Sequence, residues 1–368
     1  MKTMLDKQVF IDQLSKLISC KTLPGDLFEN AKALDMVTEW IDKDVNLKRV
    51  KNGKAEILIA GNTDSMSPDF AFMIHMDVVA GKPEQFKMVV DGDRLIGRGT
   101  SDMKFSVPMG IALLNELCKT GSKLTFALVI TTDEEVGGNE GTKFLVEDMK
   151  FSPKTLIVPD GGDNLVFVEK AKGVCQINIF SKGAPAHASR TWLGKNALEP
   201  LVLIGARLVK EFGETNKKES WLTTMNIGVI QGGVSTNQVC PEAVMKLDFR
   251  FPETESVEKI FEEVKKLSRD VGGEVMIKLS STGQPTLTDK NLPIVKEFIK
   301  TIEKAVEKKI EIKPTYGASD ARWFSNQKVP VLMIKPVGGE IHSDNEWISL
   351  SSCMKFYGGI RNFLFGLQ

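Results

Sequence analysis

Histidine and acidic residues follow several apolar runs of this sequence, in positions from which their side chains could bind metal ions. The candidates are His75, Asp102, Glu135, Asp160 and His342. Two imidazoles and three carboxylates suit zinc, or cobalt or manganese as substitutes. A site with three protein ligands keeps a position open for water, as catalytic sites do. Five ligands can serve two ions if one carboxylate bridges them.

The run AFMIHMD provides the first candidate ligand. Ala71–Ile74 reads as a buried strand, because it is a short apolar run with aromatic and β-branched residues. A period of two places His75 and Asp77 on the same side where the strand gives way to a loop. We therefore expect the imidazole to bind metal and the carboxylate to orient it. The alternative, a solvated pair in a loop, would be favoured if this motif stood alone.

The consecutive acids Glu134 and Glu135 follow the apolar run LTFALVIT. Neighbouring side chains on an extended chain point in different directions, so one glutamate could bind metal while the other acts as a general base. Such a base needs a pKa raised towards neutrality by burial. The alternatives are an acidic loop here and ordinary turns at PDGG and HSDNE. Asp163 is a second candidate ligand beside Asp160.

The candidate ligands must be positioned by strands that end at a common edge. Nearly continuous apolar strands alternate with helices from residue 56 to about 172, and again after residue 284. This pattern predicts an α/β fold with a mostly parallel, doubly wound sheet. Ligands of such sheets bind beyond the carboxyl ends of the strands, which is where these side chains fall.

A different rhythm begins near Gly173. The order of predicted elements becomes β-α-β-β-α-β, which is the ferredoxin-like unit. We predict an α+β domain of this type over residues 173–283, inserted into a discontinuous catalytic domain formed by residues 1–172 and 284–368.

Composition excludes several classes of protein. Lysine plus arginine and aspartate plus glutamate each total 48, so net charge gives no reason to expect nucleic acid or an anionic membrane as a partner. No apolar stretch reaches the roughly 18 residues of a membrane span, and the amino-terminal segment reads as an amphipathic helix rather than a signal peptide. Five scattered cysteines without a CxxC pair indicate reduced thiols in the cytoplasm. The glycine-rich segments match neither the dinucleotide fingerprint nor the Walker pattern, which disfavours an oxidoreductase of the dinucleotide-binding type.

Five motifs in this order, HMD, GRGTSDMK, TTDEEVGG, PDG and HSDNE, resemble those of the dinuclear zinc peptidase–deacylase family. That family includes acetylornithine deacetylase, succinyl-diaminopimelate desuccinylase, aminoacylase, glutamate carboxypeptidase and tripeptidase T. The resemblance implies two zinc ions, with cobalt or manganese as substitutes. One ion would be bound by His75, Asp102 and Asp160, and the other by Asp102, Glu135 and His342, so that Asp102 bridges.

The same resemblance assigns catalytic roles. Asp77 would orient the first histidine, and Glu134 would be the general base. In SKGAPAHASR, His187 would reach the active site of a partner subunit and stabilise the oxyanion, with the inserted domain serving as lid and dimerisation surface. A surface histidine beside a loop is the alternative for His187.

The resemblance also suggests positions that contact substrate. They are Asn237, Arg250, Gly317, Ser319, Asp320 and Arg322. Arginine can grip a substrate carboxylate with two hydrogen bonds, although a structural ion pair is an equal alternative for both arginines. Phe105 and Asp344 depart from the residues usual in the family and affect pocket shape rather than ligands.

The motifs and the resemblance predict an enzyme that hydrolyses an amide bond near a free carboxylate, in small peptides or N-acyl amino acids, and the resemblance implies a homodimer. Within the family that the chain resembles, an aspartate at position 160 is typical of peptidases and favours a dipeptidase or carboxypeptidase, whereas the SDAR loop resembles that of the desuccinylase and favours an N-acyl-amino-acid deacylase. A non-catalytic relative that keeps the fold as a binding module is disfavoured, because the base and all five ligand positions are filled.

Overall fold

The computed structural model describes residues 5–216 and 219–367. The helices are α1 Lys7–Ser19, α2 Leu27–Trp40, α3 Ser106–Lys119, α4 Thr142–Glu147, α5 Leu198–Phe212, α6 Val257–Leu267, α7 Pro293–Val306 and α8 Leu350–Gly366. The strands are β1 Asn46–Asn52, β2 Ala55–Gly61, β3 Phe70–His75, β4 Val89–Asp91, β5 Arg94–Ile96, β6 Phe126–Thr131, β7 Thr155–Val158, β8 Val166–Ala171, β9 Gly173–Lys182, β10 Thr224–Gly232, β11 Glu242–Phe251, β12 Glu274–Gly283, β13 Thr286–Leu287, β14 Glu311–Thr315, β15 Val331–Met333, β16 Gly338–Gly339 and β17 Trp347–Ser349. None of the helices in these ranges is long and apolar enough to cross a membrane.

The chain divides into two compact units. The first comprises residues 1–170, 287–315 and 319–368, and the second comprises residues 171–286 and 316–318. The fold is mixed α/β, in agreement with the expected class, and each unit is built around its own sheet.

A six-stranded sheet of order β1-β2-β6-β3-β7-β15 is the centre of the first unit. Strands β6, β3, β7 and β15 are parallel to one another. At one end of the sheet, β2 pairs antiparallel with β6, and the edge strand β1 pairs antiparallel with β2. Both faces are covered, because alternate residues of β3 enter different cores. Phe72 and Ile74 pack on one side, and Ala71 and Met73 on the other. Burial on both faces explains why the strand reads as a continuous apolar run.

The second unit follows the predicted order of strand, helix, strand, strand, helix, strand. Its four strands form an antiparallel sheet of order β10-β11-β9-β12. Alternate residues of β9, including Cys175, Ile177 and Ile179, pack with Leu201 of α5 and Ile260 of α6 in a separate core. One face of this sheet is therefore covered by the two helices.

Six strands have no counterpart among the apolar patterns of the sequence, namely β1, β8, β13, β14, β16 and β17. In β1, NLKRVKN carries three basic residues and most of its side chains are exposed. An exposed edge strand buries neither face, so it lacks the apolar alternation that predicts a strand.

Candidate metal centre

Parallel strands bring the predicted ligands to one edge of the six-stranded sheet. His75 is the last residue of β3, Glu135 follows β6 in a short helical turn, and Asp160 follows β7. Because β6, β3 and β7 are adjacent and parallel, their carboxyl ends meet at this edge. Asp102 lies in the turn Thr100–Lys104 directly before α3.

The ligand atoms form two groups that share Asp102. In each group, one ligand atom from every member lies within 4.8 Å of the others: His75, Asp102 and Asp160 in the first, and Asp102, Glu135 and His342 in the second. His75 Nε2 lies 3.0 Å from Asp102 Oδ1, and His342 Nε2 lies 3.2 Å from Asp102 Oδ2. The two oxygens of one carboxylate thus face two different imidazoles.

Asp77 contributes to this arrangement in two ways. Its main-chain carbonyl lies 3.0 Å from His75 Nδ1, whereas its carboxylate Oδ1 is 3.7 Å from the same atom. The carboxylate instead accepts hydrogen bonds from the backbone N–H groups of Glu134 and Glu135, at 3.1 and 2.9 Å. The backbone of Asp77 therefore orients the imidazole, while its fully buried carboxylate holds the two glutamates in place.

Burial and crowding shift the pKa values of the acids. Burial raises the pKa of Asp77 to about 7 and that of Asp160 to about 6, and the neighbouring charge of Asp102 adds to the second shift. Hydrogen bonds with the two imidazoles outweigh burial and hold the pKa of Asp102 below its ordinary value. The bond with Asp102 in turn raises the pKa of His342 to about 10. Imidazoles and carboxylates therefore crowd together here, in an arrangement that a bound divalent cation would stabilise.

The side chain of Glu134 lies beside the two groups, is 14% exposed and faces an arginine. Burial raises its pKa well above the ordinary value, in part opposed by the charge of His75. Arg322 Nη1 lies 3.7 Å from Glu134 Oε1, and its Nη2 donates a 2.6 Å hydrogen bond to the carbonyl of Gly137. The guanidinium of Arg322 is thus engaged by the turn that carries the two glutamates.

The other members of the SDAR loop have polar partners within the protein. Asp320 is buried and accepts hydrogen bonds from the hydroxyls of Thr131 and Thr142. Burial, together with the charge of Asp320, raises the pKa of Asp133 to about 6. Ser319 caps the short helix Asp320–Gln327 by accepting a hydrogen bond from the backbone N–H of residue 321.

The remaining predicted residues lie in the second unit. His187 Nδ1 is 2.8 Å from Ser189 Oγ, and the backbone N–H of residue 188 donates to the carbonyl of Asn237. Arg250 forms a 2.7 Å ion pair with Asp248 on the same strand. Gly317 belongs to the segment 316–318.

Glu346 was not singled out from the sequence, although it ends the quoted motif HSDNE. One of its oxygens accepts hydrogen bonds from the backbone N–H groups of Ser101 and Asp102, at 2.9 and 3.0 Å. The other accepts from the N–H of Gly99 at 3.0 Å and from Arg98 Nη1 at 2.8 Å. This buried carboxylate therefore holds the loop that carries the shared ligand Asp102.

The chain matches a known peptidase family over most of its length. The profile of peptidase family M20/M25/M40 matches residues 71–364. A succinyl-diaminopimelate desuccinylase of Dechloromonas aromatica is 25% identical over 377 residues, which cover 96% of this chain and 97% of that protein. A probable carboxypeptidase of Paracoccidioides lutzii is 28% identical over 230 residues, or 60% of this chain. That match spans only 50% of the fungal protein's length.

Solved structures share the fold. An M20 family metallo-carboxypeptidase from Sulfolobus solfataricus superposes with a TM-score of 0.81 at 18% identity, covering 96% of this chain and 98% of that one. A tripeptidase from Staphylococcus aureus gives a TM-score of 0.77 at 20% identity, covering 98% of both chains.

Proposed function

The chain belongs to peptidase family M20/M25/M40, and on that premise we propose that it is a metal-dependent hydrolase of amide bonds close to a free carboxylate. The proposed substrates are small peptides, which would make the enzyme an exopeptidase of the dipeptidase or carboxypeptidase type. The observation that carries the proposal is the pair of ligand groups sharing Asp102, with the partly buried carboxyl of Glu134 beside them.

The donor set fits two divalent cations, which we propose to be zinc, with cobalt or manganese as substitutes. Each group combines one imidazole with two carboxylates, and Asp102 can offer one oxygen to each ion. When bound, two such ions polarise the substrate carbonyl and lower the pKa of a water molecule. The proposed ligands are those of the two groups.

The protein's own contribution to the reaction centres on proton transfer by Glu134. Its pKa, raised by burial, suits a residue that accepts a proton from the attacking water and passes it to the leaving amine. Asp77 holds the backbone of Glu134, and Arg322 faces its carboxylate, so the base is held on two sides. These contacts support a fixed orientation of the carboxylate towards the bond being cleaved.

N-acyl-amino-acid deacylase activity is the second candidate. It is favoured by the desuccinylase of Dechloromonas aromatica, which aligns with nearly the whole chain, and by the SDAR loop. For either activity we propose Asn237, Arg250 and Gly317 as further substrate contacts. Ser319, Asp320 and Arg322 border the base, and their internal partners support a role in shaping the pocket.

We further propose a homodimer formed through the second unit, with His187 of each subunit stabilising the oxyanion in the active site of the other. Strand β10 is at one end of its sheet and reads TMNIGVIQG, without a charged residue. Val229 and Ile230 on this strand are exposed, as are Val202 and Val209 on the neighbouring helix α5. An uncharged edge strand beside an apolar helix face suits pairing with a second copy.

We propose a cytoplasmic location from the cysteines alone. They are odd in number, scattered and without a CxxC pair, which suits a reducing compartment. Oxidation of the native protein to a defined disulfide would contradict this proposal.

Amine release by the metal-loaded protein tests the function directly. The panel contains dipeptides and the N-acetyl and N-succinyl derivatives of the same amino acids. Release from dipeptides supports the exopeptidase, release only from acylated compounds supports the deacylase, and release from none refutes both. In Glu134→Ala, turnover should fall by about 10²- to 10⁴-fold while metal binding persists. Retained turnover would refute the role of Glu134.

A further inference from the structure

Lys335 lies at the same sheet edge as the candidate ligands and belongs to none of the motifs above. It follows β15, which pairs in parallel with β7 so that Met333 is level with Val158. Beyond this register Lys335 forms an isolated parallel bridge with Asn164, in the segment that follows Asp160. Its backbone carbonyl accepts a 3.0 Å hydrogen bond from the N–H of Leu165. The backbone of Lys335 is therefore fixed beside the first ligand group.

Lys335 is largely buried, with 8% of the residue exposed. Its ammonium is not among the fully enclosed polar atoms, and within residues 5–216 and 219–367 it has neither a hydrogen bond nor an ion pair. Lys104, which is also buried, shows the usual solution, since its ammonium donates to the carbonyls of Leu17 and Cys20 at 2.9 Å. An ammonium without such partners is left to bind water or an anion from outside the protein. An unpartnered cation at a ligand-binding edge therefore points to an anion that arrives with the ligand.

Asp160 does not form an ion pair with this cation. The two side chains lie close enough for their charges to interact, yet they are not within ion-pair distance. The arginines that were predicted to bind a substrate carboxylate have partners in their own units. Arg322 contacts Glu134 and Gly137, and Arg250 pairs with Asp248.

We propose that Lys335 is a specificity-determining residue that binds a carboxylate of the substrate. This inference rests on the proposed amide hydrolase function. An ammonium suits the role because it is a compact charge with three donors that can follow a mobile carboxylate. Two substrate carboxylates fit as the partner of Lys335. One is the carboxylate of the amino acid that is released, and the other is the distal carboxylate of a dicarboxylic acyl group such as succinyl.

The test uses four acyl substrates, in which the two carboxylates are present or absent independently, and one pair of peptides. They are N-succinyl-alanine, N-succinyl-alaninamide, N-butyryl-alanine and N-butyryl-alaninamide, with alanyl-alanine and its amide as the peptide pair. In the metal-loaded protein, Lys335→Met should lower kcat/KM by about 10- to 100-fold for substrates with the bound carboxylate, the value of one charged hydrogen bond. Substrates without that carboxylate should change by less than about threefold, and Lys335→Arg should retain most of the selectivity.

The pattern of losses decides the proposal. A selective loss supports it and identifies which carboxylate is bound. An equal loss on all substrates indicates a general defect and overturns it, as does no loss on any. Stability is an independent readout, because removing an unpartnered charge should leave Tm unchanged or higher, whereas Lys104→Met should lower it. A lower Tm for Lys335→Met, similar to that of Lys104→Met, would indicate a structural lysine and overturn the proposal.

Equilibrium binding separates failure of this inference from failure of the function. If the wild-type protein cleaves none of the compounds, the proposed hydrolase is refuted. Calorimetry with succinate and with alanine then tests Lys335 without turnover. Weaker binding of either compound to Lys335→Met than to wild type supports the carboxylate site. Equal binding to both proteins, or no binding to wild type, overturns it.

Discussion

Replacing Glu346 with glutamine should weaken metal binding as well as the fold. The wild-type carboxylate accepts four hydrogen bonds, three from the backbone of residues 99, 101 and 102 and one from Arg98. Glutamine keeps one oxygen and replaces the other with an NH₂ group, which cannot accept the two donors that face it. Whichever way the amide is turned, two buried donors lose their acceptor, and the guanidinium of Arg98 loses its counter-charge.

The magnitude follows from these losses. Removing one partner of a buried ion pair costs about 3–5 kcal/mol of the free energy of unfolding. Arg98 and Glu346 are 3% and 1% exposed, so the pair has the burial to which that range applies. Loss of a group that positions a metal ligand lowers metal affinity by about 10- to 100-fold. We expect both effects for Glu346→Gln, because the loop it releases carries Asp102.

Two measurements on the same variant check this prediction. Denaturant unfolding of the metal-free protein gives the loss of stability by linear extrapolation, and competition with a chromogenic chelator gives the affinity for zinc. Glu116→Gln is the matched control, since Glu116 is also buried and pairs through both oxygens with Arg361, joining α3 to α8. The control should lose comparable stability and keep its zinc affinity.

The zinc affinities of the two variants test the role assigned to Glu346. If Glu346→Gln binds zinc as tightly as wild type, Glu346 supports the fold and does not position Asp102. If Glu116→Gln loses zinc affinity to the same extent, the effect is a general consequence of lower stability. Either result would refute the assigned role.

Three further outcomes are expected. Burial raises the pKa of Asp69, but hydrogen bonds, the largest from Lys154, outweigh it and hold that pKa below its ordinary value. Asp69→Asn should therefore lose about 1–2 kcal/mol of unfolding free energy at pH 7. In urea unfolding, the difference between the variant and wild type should shrink as the pH falls below about 4. A lysine at Ile230, exposed on edge strand β10, should convert the proposed dimer to monomer in light scattering, and an unchanged dimer would place the interface elsewhere. The variants His187→Ala and Glu134→Ala should each be nearly inactive alone, but a mixture that exchanges subunits should regain about a quarter of wild-type activity. Half of the dimers are then mixed, and each mixed dimer has one complete site of its two. No recovery of activity would argue against a histidine acting across the dimer.

Local patterns in the sequence predicted most strands of the sheet and the candidate ligands that follow them. The strand of AFMIHMD could be predicted because both of its faces are buried, so each residue had to be apolar until His75. Adjacent parallel strands then bring their carboxyl ends together, so residues distant in sequence could be grouped before the structure was known. The strand order β6-β3-β7 brings Glu135, His75 and Asp160 to one edge as expected.

The sequence by itself determined which side chains could bind metal and which element ends next to each of them. Tertiary structure decided what those side chains contact. Asp77 orients His75 through its carbonyl, Arg322 faces Glu134, and Glu346 holds a loop about 245 residues away in the chain. Apolar periodicity indicates which residues of a helix or strand are buried, and this pattern can be recognised within that one element. A hydrogen-bond partner depends on which elements pack together and on where each side chain ends, and no local pattern encodes that.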